Sequence, residues 1–261
     1  MNRNFAIVLG GSSFIAKSIL TKIDLDVDEV IFLTRKKSKG SIPVLPKKSR
    51  NFELDEINEL TLEKIACDLD ISHNTSIIVF NLVGTLGNIF DVRTSDEKQF
   101  NETFQLNMNP FISSLAIFNK SGPNSIYINF SGAGIGGENL EDMSYGYVCA
   151  KASMVILVEL LQRQFLDQRK FICSISPGAF PSQMQLQLLN PEVKSKLSAK
   201  RLDSLKNLQS TGGSTDNLVQ AIQFIINNPE SVGGRMISAN FDNFNNLNFS
   251  KDFGKLRRIT E

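Results

Sequence analysis

Six short apolar runs, each closed by a turn residue or leading into one, recur along the chain: FAIVLG, EVIFLTR, SIIVFNLVG, SIYINFSG, KFICSISPG and GRMISANF. Runs of this length are strand-sized, and because they are apolar throughout rather than alternating, they need cover on both faces. Between them the apolar residues fall at helical spacing, which predicts helices at about 15–24, 58–69, 96–119, 146–168 and 214–227. Buried strands alternating with helices predict an α/β fold: a doubly wound parallel sheet whose crossover helices cover both faces. A chain of 261 residues suits a single such domain.

Two segments break the pattern. Residues 36–51, KKSKGSIPVLPKKSRN, are basic and carry two prolines where a second crossover helix is expected, so this connection is expected to be irregular. Residues 183–213, QMQLQLLNPEVKSKLSAKRLDSLKNLQSTGG, form a long polar insertion before the last strand. A connection of that length in a compact domain is expected to be a substrate lid.

The charge balance removes several classes of function. With 28 Lys and Arg against 27 Asp and Glu, the net charge of +1 gives no global field for nucleic acid or a membrane surface. Partners must therefore be read from local sites. Cys67, Cys149 and Cys173 are widely spaced in apolar surroundings, which predicts buried free thiols in a reducing, cytoplasmic setting. The lone histidine, His73, lies in the polar turn ISHNTS, leaving metal chemistry without its usual imidazole ligands. The N-terminal apolar run is too short to span a membrane and lacks a signal-peptide pattern.

The first run leads into LGGSSFIAKSIL, a strand, turn and helix of the kind that holds a pyrophosphate on helix N-terminal amides. Gly10 and Gly11 permit a tight turn and close approach, Ser12 and Ser13 offer hydroxyls, and Phe14 and Ile15 open the helix. The motif is degenerate, because Ala16 stands where the last glycine of G-x-G-x-x-G would be. At the end of the second run, FLTRKK supplies Arg35 and Lys36 where an NAD-preferring site places an acid, so the cofactor is expected to be NADP(H) rather than NAD(H). A solvated basic turn is the plainer alternative.

In SYGYVCAKAS two tyrosines precede Lys151, and only Tyr147 lies four residues before it, on the same helix face. YVCAK resembles the Tyr-x-x-x-Lys motif of the short-chain dehydrogenases/reductases. LGGSSFIA resembles that family's glycine-rich turn, FNLVG its Asn-Asn-Ala-Gly strand end and SPGAFPS its Pro-Gly turn, all in the family's order. The resemblance implies a Rossmann-type fold with Tyr147 as acid/base and Lys151 as its modulator and ribose ligand. The chemistry agrees, since a tyrosine hydroxyl with pKa near 10 needs a neighbouring ammonium to work near neutral pH.

By the same resemblance Asn107 supports a proton relay and Ser131 holds the substrate oxygen. Here the family usually writes two serines, and the second position is Gly132; Ser144, or nothing, is the alternative clamp. Gly132, Gly134, Gly136 and Gly137 would let this loop approach a substrate. Asn81, Val83 and Gly84 are expected to face the adenosine ribose and nicotinamide. Asp55 meets adenine or acts as a helix N-terminal acid; Pro177, Gly178 and Phe180 line the nicotinamide; Ser182 approaches the pyrophosphate; Tyr145 is a pocket wall.

The expected activity is NADP(H)-dependent hydride transfer between nicotinamide and a carbonyl or secondary alcohol. Nucleotide-sugar epimerase or dehydratase chemistry and a non-catalytic NADPH sensor are the other two readings. Lys194, Lys196, Lys200 and Arg201 in the insertion either meet a phosphorylated substrate or face water, while Met184, Leu186 and Leu188 are expected to be lid packing. The family packs the helix at 146–168 against another subunit, which implies a homodimer or homotetramer.

Overall fold

The computed structural model describes residues 3–37, 40–87, 96–132, 145–195, 197–211 and 214–244. Seven strands, β1 (Arg3–Leu9), β2 (Glu29–Arg35), β3 (Ser49–Leu54), β4 (Thr75–Asn81), β5 (Ile126–Phe130), β6 (Phe171–Ser176) and β7 (Met236–Ser238), form one sheet. Their order is β3-β2-β1-β4-β5-β6-β7, with every neighbouring pair parallel. The order reverses between β1 and β4, which opens a crevice at their carboxyl ends. The fold is a single-domain doubly wound sheet, as the alternating runs predict.

Helices cover both faces because strand side chains alternate. Ala6, Val8, Phe32, Phe80, Ile128 and Ile175 point to one face. There they meet Ala16 and Ile19 of α1 (Phe14–Ile19) and Leu218, Ala221, Ile222 and Ile225 of the later helix 216–227. Phe5, Ile7, Ile31, Val79, Tyr127 and Ile172 point to the other, under α2 (Glu59–Asp68), α3 (Glu97–Phe118) and α4 (Tyr145–Phe165). Among the described residues the remaining α-helices are α5 (Gln183–Gln187), α6 (Pro191–Lys194), α7 (Ala199–Thr211), α8 (Asp216–Asn227) and α9 (Pro229–Val232), and a 3-10 turn (Leu166–Gln168) follows α4.

The structure departs from the sequence expectations in three places. β3 is an additional strand within and after the basic segment: an edge strand whose exposure alternates, so no continuous apolar run announces it. The stretch before it, 40–48, is irregular as expected, with Ile42 and Leu45 packed on the first face. Helix α1 is shorter than predicted, closing at Leu20, after which Lys22 and Ile23 both donate backbone N–H groups to Ile19 O. Cys67 and Cys149 are exposed, and only Cys173 is buried. Both lie one step off the buried stripes of their helices, beside Ala66 and Ala150 respectively, where local apolarity does not mean burial.

Candidate functional site

The crevice is built from the residues that end β1, β4, β5 and β6. After β1, Gly10 and Gly11 both donate N–H groups to Leu33 O, at 2.9 and 3.2 Å, and Ser13 N–H closes the turn on Gly10 O at 3.0 Å. Gly10 has φ +81°, and a Cβ there would press on the Leu82 backbone at 3.2 Å, so the turn requires glycine on both counts. A Cβ on Gly11 would fall 2.7 Å from the Phe32 ring. Ser13 caps α1 by accepting Ala16 N–H at 3.1 Å. The first amides of α1, those of Phe14 and Ile15, have no acceptor within the helix.

At the end of β2, Arg35 is exposed, whereas Lys36 reaches Asp55 at 3.0 Å. The sequence assigns these two residues to opposite ends of an adenosine, and the structure joins them in a surface ion pair.

Lys151 is only 3% exposed. Its ammonium donates to Val83 O at 2.9 Å, just beyond β4, and to Phe130 O at 3.0 Å, at the end of β5, and lies 6.0 Å from the Tyr147 ring centroid. Burial pushes its pKa down to about 7, while the two carbonyl acceptors favour the charged form. Gly84 lies between Lys151 and Asn107: a Cβ there would be 3.8 Å from Lys151 Cε and 3.6 Å from Asn107 Oδ1.

Asn107 is fully buried and holds the loop after β4. Its Oδ1 accepts Thr85 N–H at 3.0 Å, and its Nδ2 donates to Thr85 O and Thr103 O at 2.9 and 2.8 Å. Both amide protons thus go to backbone carbonyls. Asn81 is buried below, donating to Asn129 Oδ1 at 2.9 Å in a ladder that continues to Ser174 Oγ, which ties the strand ends together.

Tyr147 is buried at 8% exposure and Tyr145 is exposed at 37%. A Cβ on Gly132 would lie 2.6 Å from Tyr147 Oη, so the tyrosine stands where a side chain at 132 would otherwise point. The Ser131 hydroxyl is turned away from solvent and donates to Ile175 O at 3.0 Å. Gly134, Gly136, Gly137, Ser144 and Lys196 lie outside the described residues.

The segment after β6 turns at Gly178, φ +90°, where a Cβ would strike Asn240 Nδ2 at 2.6 Å. Phe180, three residues past Pro177, is buried and stacks obliquely on Phe14 with ring centroids 6.0 Å apart, joining this segment to the start of α1. Ser182 caps α5 by accepting Gln185 N–H. The insertion then folds back, so that Leu86, Tyr147, Leu188 and Leu205 form a third buried cluster with Met184, Val148, Leu189, Val193 and Leu197 against it. The sequence pattern misses Thr85, Leu86 and Leu205, because their roles depend on distant parts of the chain meeting here.

No protein-family model matches the sequence, and no curated protein does. Solved structures do match in three dimensions. A short-chain dehydrogenase/reductase of Saccharomyces cerevisiae superposes with TM-score 0.73 at 18% identity, covering 91% of this chain and 96% of that one. A dehydrogenase/reductase of Sinorhizobium meliloti gives 0.67 at 16%, covering 91% and 95%. A short-chain dehydrogenase of Burkholderia cenocepacia in complex with NADP gives 0.68 at 13%, covering 89% and 94%. At such identities the likeness speaks for architecture: this chain has the fold of the short-chain dehydrogenases/reductases.

Proposed function

We propose that the chain is an NADP(H)-dependent oxidoreductase of the short-chain type, interconverting a carbonyl compound and a secondary alcohol. The observation that carries this reading is the Lys151 ammonium, fixed by Val83 O and Phe130 O at the carboxyl ends of two central strands, one helical turn from Tyr147. A buried lysine is costly to keep unless its charge is used.

The residues present suit a nicotinamide dinucleotide. The turn through Gly10, Gly11, Ser12 and Ser13 with the leading amides of Phe14 and Ile15 would take the pyrophosphate, and Arg35 with Lys36 a 2′-phosphate. Val83 and Gly84 with Asp55 would border the adenosine and nicotinamide ribose, Asn81 standing fully buried beneath them rather than facing the ribose, and Pro177, Gly178, Phe180 and Ser182 would flank the nicotinamide and pyrophosphate. When bound, the cofactor supplies or accepts the hydride.

Tyr147 Oη gives its proton to the carbonyl oxygen in reduction and takes it back in oxidation. Lys151 stabilises the phenolate left behind and can turn its remaining N–H toward the ribose. Asn107 holds Thr85, and with it the strand-end loop, in position for the relay the resemblance implies. Ser131 can clamp substrate only by giving up its bond to Ile175 O.

That same Ser131 bond, with Gly132 beside Tyr147, favours a second reading in which the fold binds NADPH without turnover. A carbonyl-library screen following NADPH absorbance separates the two. Under the reductase reading Tyr147→Phe lowers turnover about 10²- to 10⁴-fold with NADPH binding retained. Turnover unchanged in Tyr147→Phe would overturn it. Tighter binding of NADH than NADPH in isothermal titration would overturn the role of Arg35.

A further inference from the structure

We propose that Thr103 of α3 is a positioning residue for Tyr147: its methyl group wedges between Gly87, on the loop after β4, and Gly146, the residue before the tyrosine, and so sets where the first turn of α4 stands. This rests on Tyr147 being the acid/base of the proposed reaction, because only then does the place of that turn decide a rate.

Two glycines from distant parts of the chain meet this one side chain. A Cβ on Gly87 would fall 2.0 Å from Thr103 Oγ1 and 2.6 Å from its methyl carbon. A Cβ on Gly146 would fall 2.9 Å from Thr103 Cβ, 3.2 Å from the same methyl and 3.0 Å from Phe100 O of the same helix. Real Cβ atoms essentially never stand closer than 3.0 Å to such neighbours, so the loop and α4 both reach Thr103 more closely than any other residue type would let them. Thr103 is 4% exposed. Its carbonyl accepts Asn107 Nδ2–H at 2.8 Å, and Asn107 in turn holds Thr85 on that loop.

The residue type suits the place. Branching at Cβ restricts χ1 and directs one group, the hydroxyl, at Gly87 and the other, the methyl, at both glycines. Serine would lose the shared group, and alanine would lose both. The tyrosine is thereby fixed at two ends: Gly132 lies against Oη, and Thr103 lies against the backbone just before the ring. Proton transfer needs Oη within hydrogen-bond reach of the reacting oxygen, and a misplacement of about 1 Å costs on the order of a hundredfold in rate.

The test is NADPH consumption with the carbonyl that the library screen finds fastest, beside NADPH binding followed by its fluorescence and thermal melting. Thr103→Ala and Thr103→Ser, which both remove the methyl, should lower kcat by about tenfold or more, with KM for the carbonyl and NADPH affinity held within about twofold. Thr103→Val, which keeps the branch and drops the hydroxyl, should restore the wild-type rate. Gly146→Ala should lower kcat by about a hundredfold, because its methyl presses on Thr103 Cβ and Phe100 O. Ser114→Ala, which removes a buried hydroxyl near the far end of α3, should lower the melting temperature and leave kcat as it is.

Thr103→Ser turning over as fast as the wild type, or Thr103→Val losing as much as Thr103→Ala, overturns the inference and leaves the reductase reading in place. So does a loss of kcat in Ser114→Ala matching that of the Thr103 variants, since stability alone would then account for the rates. NADPH binding with no carbonyl reduced at all overturns the reductase reading and this inference with it.

Discussion

At Gly132 one missing methyl group decides where the tyrosine can stand. A Cβ there would come within 2.6 Å of Tyr147 Oη and 2.8 Å of Cζ, too close for any real contact, so Gly132→Ala must push the ring aside. Displacing a proton donor by about 1 Å costs on the order of a hundredfold in rate. Gly132→Ala and Gly132→Ser are therefore both expected to lower kcat/KM by about that factor while NADPH binding and the melting temperature barely change. A gain in turnover from Gly132→Ser would show that the tyrosine moves freely. Lys151 sets a second expectation, with a direction fixed by burial. Its pKa is pushed down to about 7, so the ammonium proposed to support Tyr147 is present below that pH and is lost tenfold per unit above it. The kcat/KM for carbonyl reduction should fall along an alkaline limb that begins near pH 7, measured as a pH profile on the wild-type chain. A profile flat to pH 9 would mean that Val83 O and Phe130 O hold the proton against desolvation.

Among the elements, the joint between α3 and the loop after β4 depends on one side chain. Asn107→Ala leaves the half-buried N–H and C=O of Thr85 without their partner, while Thr103 C=O keeps the helical N–H of residue 107, and the loss costs about 1–3 kcal/mol. Urea denaturation should show that loss, and turnover should fall with it because Gly84 and Leu86 sit on the same loop. The elements themselves were mostly legible beforehand, because β1, β2, β4, β5 and β6 are buried on both faces and must be written as apolar runs. β3 was not, since an edge strand flanked by one neighbour keeps Arg50 and Glu53 among its residues and needs no such run. In the site, the Tyr147 and Lys151 pair was legible because its geometry is one turn of one helix. The two carbonyls that hold Lys151 are 68 and 21 residues away, and Met184 meets Gly84 from the insertion, so no local spacing encodes either.

For the whole molecule, the two faces of the sheet are filled, and part of the apolar surface that stays exposed lies on the outside of α4, besides single residues such as Val44, Leu60, Leu106 and Phe241 elsewhere. Its buried stripe runs through Ala150, Met154 and Val158, the last two packed under the sheet, with Tyr147 at its start against Leu86, Leu188 and Leu205. On the opposite side Ile156 and Leu160 are 47% and 56% exposed, with Tyr145 and Cys149 on the same line of the helix, and Ile112 of α3 is 38% exposed. The same helix is the one that, among the described residues, has the length and apolarity of a membrane span, with 44% of its most apolar window buried in this fold. A helix that must satisfy the sheet on one side needs no such apolar excess on the other unless a second surface covers it. The proposed assembly is a homodimer or homotetramer through this stripe, where covering the exposed half of Ile156 and of Leu160 contributes about 1 kcal/mol per side chain. Light scattering should give a mass of at least twice 29.0 kDa for the wild type. Ile156→Glu with Leu160→Glu should return the chain to a single 29.0 kDa unit with its circular dichroism intact. A wild-type chain that already runs as a monomer at micromolar concentration would remove the assembly, and the apolar stripe would then need another partner.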